Sequence, residues 1–246
     1  KPENSKKRRK TNMRRFYKEV SVTAEGEGYT VYLDERPIKT PMKADLIVPT
    51  KKLAAEIADE WRAQGETIKP DEMGITKLSN TAIDRVMTRF EGVADEVAAY
   101  GASDLICYRA EEPADLIEKQ NEAWNPYIEW VREQYDLLLV TTTGIMPVKQ
   151  PDETVEGFKA IVRSLDCYHL TALHEFTSGF GSLVLALALL QGKDELETFW
   201  QISLLDEHFQ IEQWGEDLEE TELRAKKRDD LEVALRFLNA LNVDND

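Results

Sequence analysis

The side chains of this chain with ligand or nucleophile chemistry are few: His169, His174, His208, Cys107 and Cys167. His208 and Glu212 stand four apart, which on a helix puts an imidazole and a carboxylate on one face, permissive geometry for two metal ligands. With a second histidine they would make a metal-dependent hydrolase, and that is the alternative reading of the chain. His169 and His174 are five apart and diverge on a helix, and the two cysteines have no zinc spacing. Carboxylates able to pair for acid–base work are too abundant to single any out. There is no P-loop, no dinucleotide glycine fingerprint and no G-x-S-x-G elbow. The expectation is a protein that is not an enzyme, with no cofactor and no metal.

What stands out instead is DEHFQIEQWGEDLEETE, residues 206–222. It holds eight acidic residues and no Lys or Arg, with Phe209, Ile211 and Trp214 among them. One reading is a solvated helix end whose aromatics face the core. The other is a recognition surface, with Trp214 as anchor and the carboxylates turned to a basic partner. Trp suits that role because it buries a large area at low entropic cost.

Charge narrows the partners further. The net charge is −16, yet residues 1–18 carry nine Lys/Arg and one Glu, so the rest of the chain holds −24. Such a body repels nucleic acid and anionic membrane. The opening KPENSKKRRKTNMRR has no apolar periodicity, and residues 1–13 read as a basic disordered tail; the nucleic-acid reading rests on residues 1–18 alone. The most apolar run, FGSLVLALALL at 180–190, is too short to span a bilayer and reads as a buried helix. No apolar signal region and no import sequence is evident, so the expected location is the bacterial cytoplasm, or the mitochondrial matrix in a eukaryote. Two cysteines imply no disulfide framework.

The elements that must position the acidic stretch fall into two regions. Residues 14–49 alternate apolar and polar side chains, with turns at Gly26–Gly28 and Asp34–Pro37, and predict a small antiparallel sheet. Leu53, Ile57 and Trp61 form one helical stripe that ends near Gly65. ETIKPDEMGITK, with Pro70 and Gly74, marks a boundary. The fold class is thus α+β: a β-rich domain over 14–72 and a helical domain over 73–246. In the second region Leu116, Gln120, Trp124, Tyr127 and Val131 share a stripe, with a helix restart expected at Asn125–Pro126. DLLLVTTTGIMPVKQP reads as a short strand or an extended link, Asp194–Trp214 as one long helix, and Leu223, Leu231, Leu235 and Leu238 as the stripe of a last helix. The SGFGS glycines read as sites of close helix packing.

Several strings in order, RFYKEV, VYLDERPIKTP, EWRAQGETIKPDEM, KLSNTAIDRV, DLICYRAEEPADLIEKQNEAWNPYIEW and QIEQWGED, resemble one family over residues 14 to about 225. It is the assembly chaperone that acts on the alpha subunit of the catalytic head of F-type ATP synthase, found in mitochondria and alphaproteobacteria. The resemblance implies a β-rich first domain, a helical second domain, no catalysis, and a partner in the free alpha subunit, held until the beta subunit joins. The protein is expected to be a monomer when free. The family carries an important acidic residue in its carboxyl-terminal region, best matched here by Glu212, with Glu216 and Asp217 as neighbours. With Trp214 these are the candidate partner-binding residues. Family members often have Gly after the Leu-Asp of the turn string, where this chain has Glu35.

Overall fold

In this computed structural model, which describes residues 13–144 and 146–242, the chain begins with a two-residue strand, β1 (Met13–Arg14). An antiparallel meander follows: β2 (Val20–Glu25), β3 (Gly28–Leu33) and β4 (Arg36–Pro37). The basic tail expected over 1–13 lies outside the described residues except for Met13, which pairs with Ile68. Val20 faces Leu33 and Glu25 faces Gly28, so the first turn has two residues; Leu33 faces Arg36 across a second. In that second turn Asp34 takes φ 55°. Its carboxylate accepts from the backbone N–H groups of Lys18 and Glu19 at 3.0 and 2.9 Å, which also holds its pKa below the ordinary value. Aspartate tolerates the left-handed region better than most residues. The turn therefore needs no glycine at position 35.

Strands were expected up to Pro49. Beyond Pro37 there are only single bridges, Lys39 to Asp45 and Tyr29 to Val48, because Pro41 and Pro49 offer no N–H to a ladder. Helix α1 (Lys51–Arg62) starts at Thr50, whose hydroxyl oxygen accepts from Leu53 N. It buries Leu53, Ala54, Ile57 and Ala58 beneath the meander, and Trp61 meets Tyr17 edge-on. After β5 (Thr67–Ile68) comes α2 (Gly74–Thr81), whose first N–H groups, at Ile75 and Thr76, donate to Glu60 of α1 at 2.6 and 2.7 Å.

Irregular helical turns over 82–89 lead into α3 (Phe90–Ala98) and then β6 (Tyr108–Arg109). Helix α4 (Ala114–Tyr135) runs straight through Pro126, where a restart was expected. A proline inside a helix costs about 3 kcal/mol. Burial of Trp124, Tyr127 and Trp130 on both sides of it offsets that cost. The link that follows is extended, with β7 (Thr142–Thr143) parallel to β6. Gln150 bonds both the N–H and the carbonyl of Val140, standing in for a second strand.

The remaining helices are α5 (Asp152–Arg163), α6 (Cys167–Phe180), α7 (Leu183–Leu190), α8 (Leu196–Ser203), α9 (Leu205–Trp214) and α10 (Leu218–Leu241). The single helix expected over 194–214 is broken at Leu204, buried in a non-helical conformation, and two residues earlier the Ile202 carbonyl accepts the Trp124 indole N–H at 2.8 Å. Gly181, at φ 68°, ends α6, while Gly179 lies directly under Leu231 of α10, where a methyl group would collide. Only the second half of α10 is core: Leu231 and Leu238 are buried, but Leu223 is exposed. One apolar cluster runs from Tyr17 to Leu241. The architecture is the expected one, small amino-terminal sheets followed by a helical region.

Candidate recognition cleft

The acidic stretch becomes α9 and the start of α10, and α9 buries none of its residues. Its attachment to the body starts at Gln120. This side chain is buried in the apolar stripe of α4; its Oε1 accepts from Ala110 N at 2.8 Å and its amide donates to Asp206 at 2.6 Å. A polar residue inside an apolar stripe was the one sequence signal of this link. Further along α9, Lys119 approaches Glu212 at 3.9 Å, a distant and exposed pair. Trp214 is 79 % exposed at the end of the helix. Gly215 then turns the chain, and Asp217 caps α10 by accepting from Glu219 N at 2.8 Å. Glu216 reaches Arg224 at 3.5 Å.

Between α9 and the corner joining β6 to α4 lies a cleft of about 1050 Å³. One wall is Tyr108 to Leu116, which includes the YRAEEP segment; the other is Asp206, Phe209, Gln210, Gln213 and Trp214. The spacing of 206, 209, 210 and 213 is the i, i+3, i+4, i+7 pattern of one helix face. A notch of about 150 Å³ on the other side of Trp214 is lined by Glu207, Ile211 and Glu220. Trp214 thus stands on a ridge between two concavities. Nothing in the sequence pattern placed the 108–116 corner opposite α9, because the pairing runs through Gln120 and Asp206, far apart in the chain.

The electrostatics of the cleft are lopsided. Glu111, Glu112 and Asp115 are exposed on one rim and face no ion-pair partner among the described residues. The basic residue in the cleft lining among the described residues, Arg109, is buried. It donates to the Gln120 carbonyl, Asn121 Oδ1 and Asn125 Oδ1 at 2.9, 3.2 and 2.9 Å, and stacks over Trp124. Burial lowers its pKa, and its Nε has no partner. Of the four candidate residues, the structure puts Trp214 on the cleft, Glu212 two residues before it and outside the cleft lining, and Glu216 and Asp217 just beyond the helix.

The metal alternative finds no geometry. His169 bonds Asp166 at 2.6 Å, His174 lies 3.6 Å from Glu175, and His208 is on α9. Among the described residues no three His, Cys, Asp or Glu side chains are placed to hold an ion. Cys107 and Cys167 are both free thiols, pushed up to about 12 and about 11 by burial. No helix among the described residues is long and apolar enough to cross a membrane.

The whole architecture has known counterparts. The crystal structure of Atp12 from Paracoccus denitrificans matches it with a TM-score of 0.91 and 39% identity, covering 94% of this chain and 99% of that one. The chain belongs to the ATP12 chaperone family. That family is one of ATP synthase assembly chaperones. A variant of the Paracoccus protein with one aspartate replaced by lysine matches equally well, at 38% identity and a TM-score of 0.91, over 94% of this chain and 98% of that one. The family model for the ATP12 chaperone protein matches residues 14–132. It therefore takes in the 108–116 wall and stops short of α9. The mitochondrial protein atp12 of Schizosaccharomyces pombe is 26% identical over 218 residues, 83% of this chain and 74% of that protein.

Proposed function

We propose that this ATP12-family chaperone holds the free alpha subunit of the F-type ATP synthase head until the beta subunit replaces it. In this reading Trp214 is the anchor and Glu212, Glu216 and Asp217 supply the charge. The observation that carries it is a Trp that is 79 % exposed on a predominantly acidic ridge, whose Glu212 and Glu216 make long ion pairs of 3.9 and 3.5 Å, beside a cleft large enough for part of another protein. A tryptophan left in water forgoes the roughly 2–3 kcal/mol that burying a large side chain gives, and a partner recovers it. Basic groups on the alpha subunit, which meets beta across a polar interface, are the natural complement to the carboxylates. The protein works as a monomer in the compartment where the subunits are made, the bacterial cytoplasm or the mitochondrial matrix.

The test is co-purification with separately expressed alpha and beta subunits. Alpha is expected to be retained and beta not. Trp214→Ala should weaken retention of alpha by at least 10-fold, as truncation of an interface anchor typically costs 2 kcal/mol or more. Retention of beta in place of alpha, or of neither, would sink this reading.

A further inference from the structure

We propose that the cleft between the 108–116 corner and α9 receives one cationic, amphipathic segment of the client, its apolar side chain against Trp214 and an Arg or Lys between the two acidic rims. The inference rests on the chaperone reading above and adds the chemistry that the site recognises. Its apolar lining comes from Leu116 and Phe209, with Trp214 on the ridge at its edge. Its rims are Glu111, Glu112 and Asp115 on one side and Asp206 on the other. The one guanidinium in the cleft lining among the described residues, that of Arg109, has both terminal nitrogens bound to neutral acceptors inside the protein, so it makes no ion pair with the rims. Lys119 reaches only Glu212, at 3.9 Å. A lining that wants an apolar group and rims that want cations define a segment carrying both, as when an amphipathic helix lies in a groove. An acidic segment would meet like charge, and a polar one would leave Trp214 wet. A cleft of about 1050 Å³ also exceeds what one side chain fills and suits a stretch of several residues.

Two measurements on the full chain with purified alpha subunit test this. The first uses Glu111→Gln, Glu112→Gln and Asp115→Asn together, all exposed, so the melting temperature should fall only slightly, through the loss of Asp115's charge in the first turn of α4. Retention of alpha should fall at least 10-fold, and the residual binding should be less sensitive to salt. The second places the photo-cross-linker p-benzoylphenylalanine at Gln210, on the cleft face of α9. The captured peptide should come from alpha and carry Arg or Lys beside an apolar residue. Undiminished retention by the triple variant would overturn the proposal, as would capture of an acidic alpha peptide. So would cross-linking to a second copy of this chain, or to its own basic residues 1–10. Failure of the unsubstituted protein to hold alpha at all would instead remove the chaperone reading and this inference with it. Full retention by both proteins removes the cleft alone.

Discussion

Helices α7 and α9 are close in length and lie in the same half of the molecule, but they have opposite relations to water. In α7 every residue from Leu183 to Leu189 is buried, with Ser182 capping the first turn. In α9 none is buried, two acids open the helix, and no basic residue closes it. Two tryptophans show the same division. Trp124 is fully buried with its indole N–H bonded to Ile202, and Trp214 is 79 % exposed. Apolar surface in α7 is there to exclude water within the chain. Apolar surface in α9 serves the fold only in part: Leu205 packs against the core, while Trp214 at the other end stays in water and is left for a partner. Substitutions should therefore separate: α7 controls whether the protein folds, α9 what it holds.

The largest expected effect is in α7. Leu185 is completely buried, so Leu185→Ala removes packed methyl groups and leaves a cavity. Unfolding free energy should fall by about 2–5 kcal/mol. Denaturant titration reads this directly, and below the lowered melting point the variant should still retain alpha. A loss under about 1 kcal/mol, or a binding defect in the folded variant, would break the contrast between the helices.

How this division could be read from residues alone is uneven. The α7 run and the stripes of α1 and α10 are visible because burial imposes a helical period on the sequence, and the acidic stretch is visible as composition. The exposure of Leu223 is not, since a leucine at the right spacing looks like core until the helix is seen to outrun it. Nor is the course of the chain at Pro126 and Leu204. Both follow from distant bonds, Tyr127 to Asp194 at 2.7 Å and Trp124 to the Ile202 carbonyl, which override local preference. The second wall of the cleft was hidden for the same reason. YRAEEP was noticeable as a string, but only the Gln120–Asp206 bond brings it opposite Trp214.

A smaller effect concerns how α7 is held. Asp104, with no exposure, accepts from Ile106 N at 3.3 Å and Val184 N at 3.0 Å, so one buried carboxylate serves the first turn of α7. Burial pushes its pKa up from 3.8 to about 6, against the opposing pull of those N–H groups and the Ser182 hydroxyl. In the unfolded chain it titrates near 4. Folding thus favours the protonated form: the contribution is complete below about pH 4 and is lost as pH rises through 6. Between pH 7 and pH 5 the protein should gain about 1 kcal/mol from this group. Asp104→Asn abolishes that gain and, by turning an amide NH2 toward backbone donors, costs about 1–3 kcal/mol at pH 7. The depressed carboxyls of Asp34, Asp166 and Glu197 lose their contribution only at lower pH, and His169 is common to both proteins. Comparing chemical denaturation of the two at pH 7 and pH 5 isolates Asp104; equal slopes would refute the assignment.

The smallest expected effect on stability, and the sharpest test of the contrast, is Glu212→Gln. Glu212 lies in the last turn of α9, where a negative charge opposes the helix dipole at a cost of about 0.3–1 kcal/mol. Against that stands the Lys119 pair, at 3.9 Å with both side chains more than half exposed, worth about 0–1 kcal/mol. The substitution removes both terms, so the melting temperature should be unchanged within the error of calorimetry. Binding should respond differently. A carboxylate that meets a basic group of the alpha subunit away from water loses about 2–5 kcal/mol of binding when its charge is removed. The expected signature is an unmoved melting curve with alpha retention weakened by at least 10-fold. Melting at a clearly lower temperature with retention intact would mean that Glu212 belongs to the fold, as the Lys119 contact allows, and that the recognition charge lies elsewhere on the ridge. Lys119→Ala separates these cases: it breaks the internal pair but leaves Glu212 charged, so it should leave alpha retention undiminished.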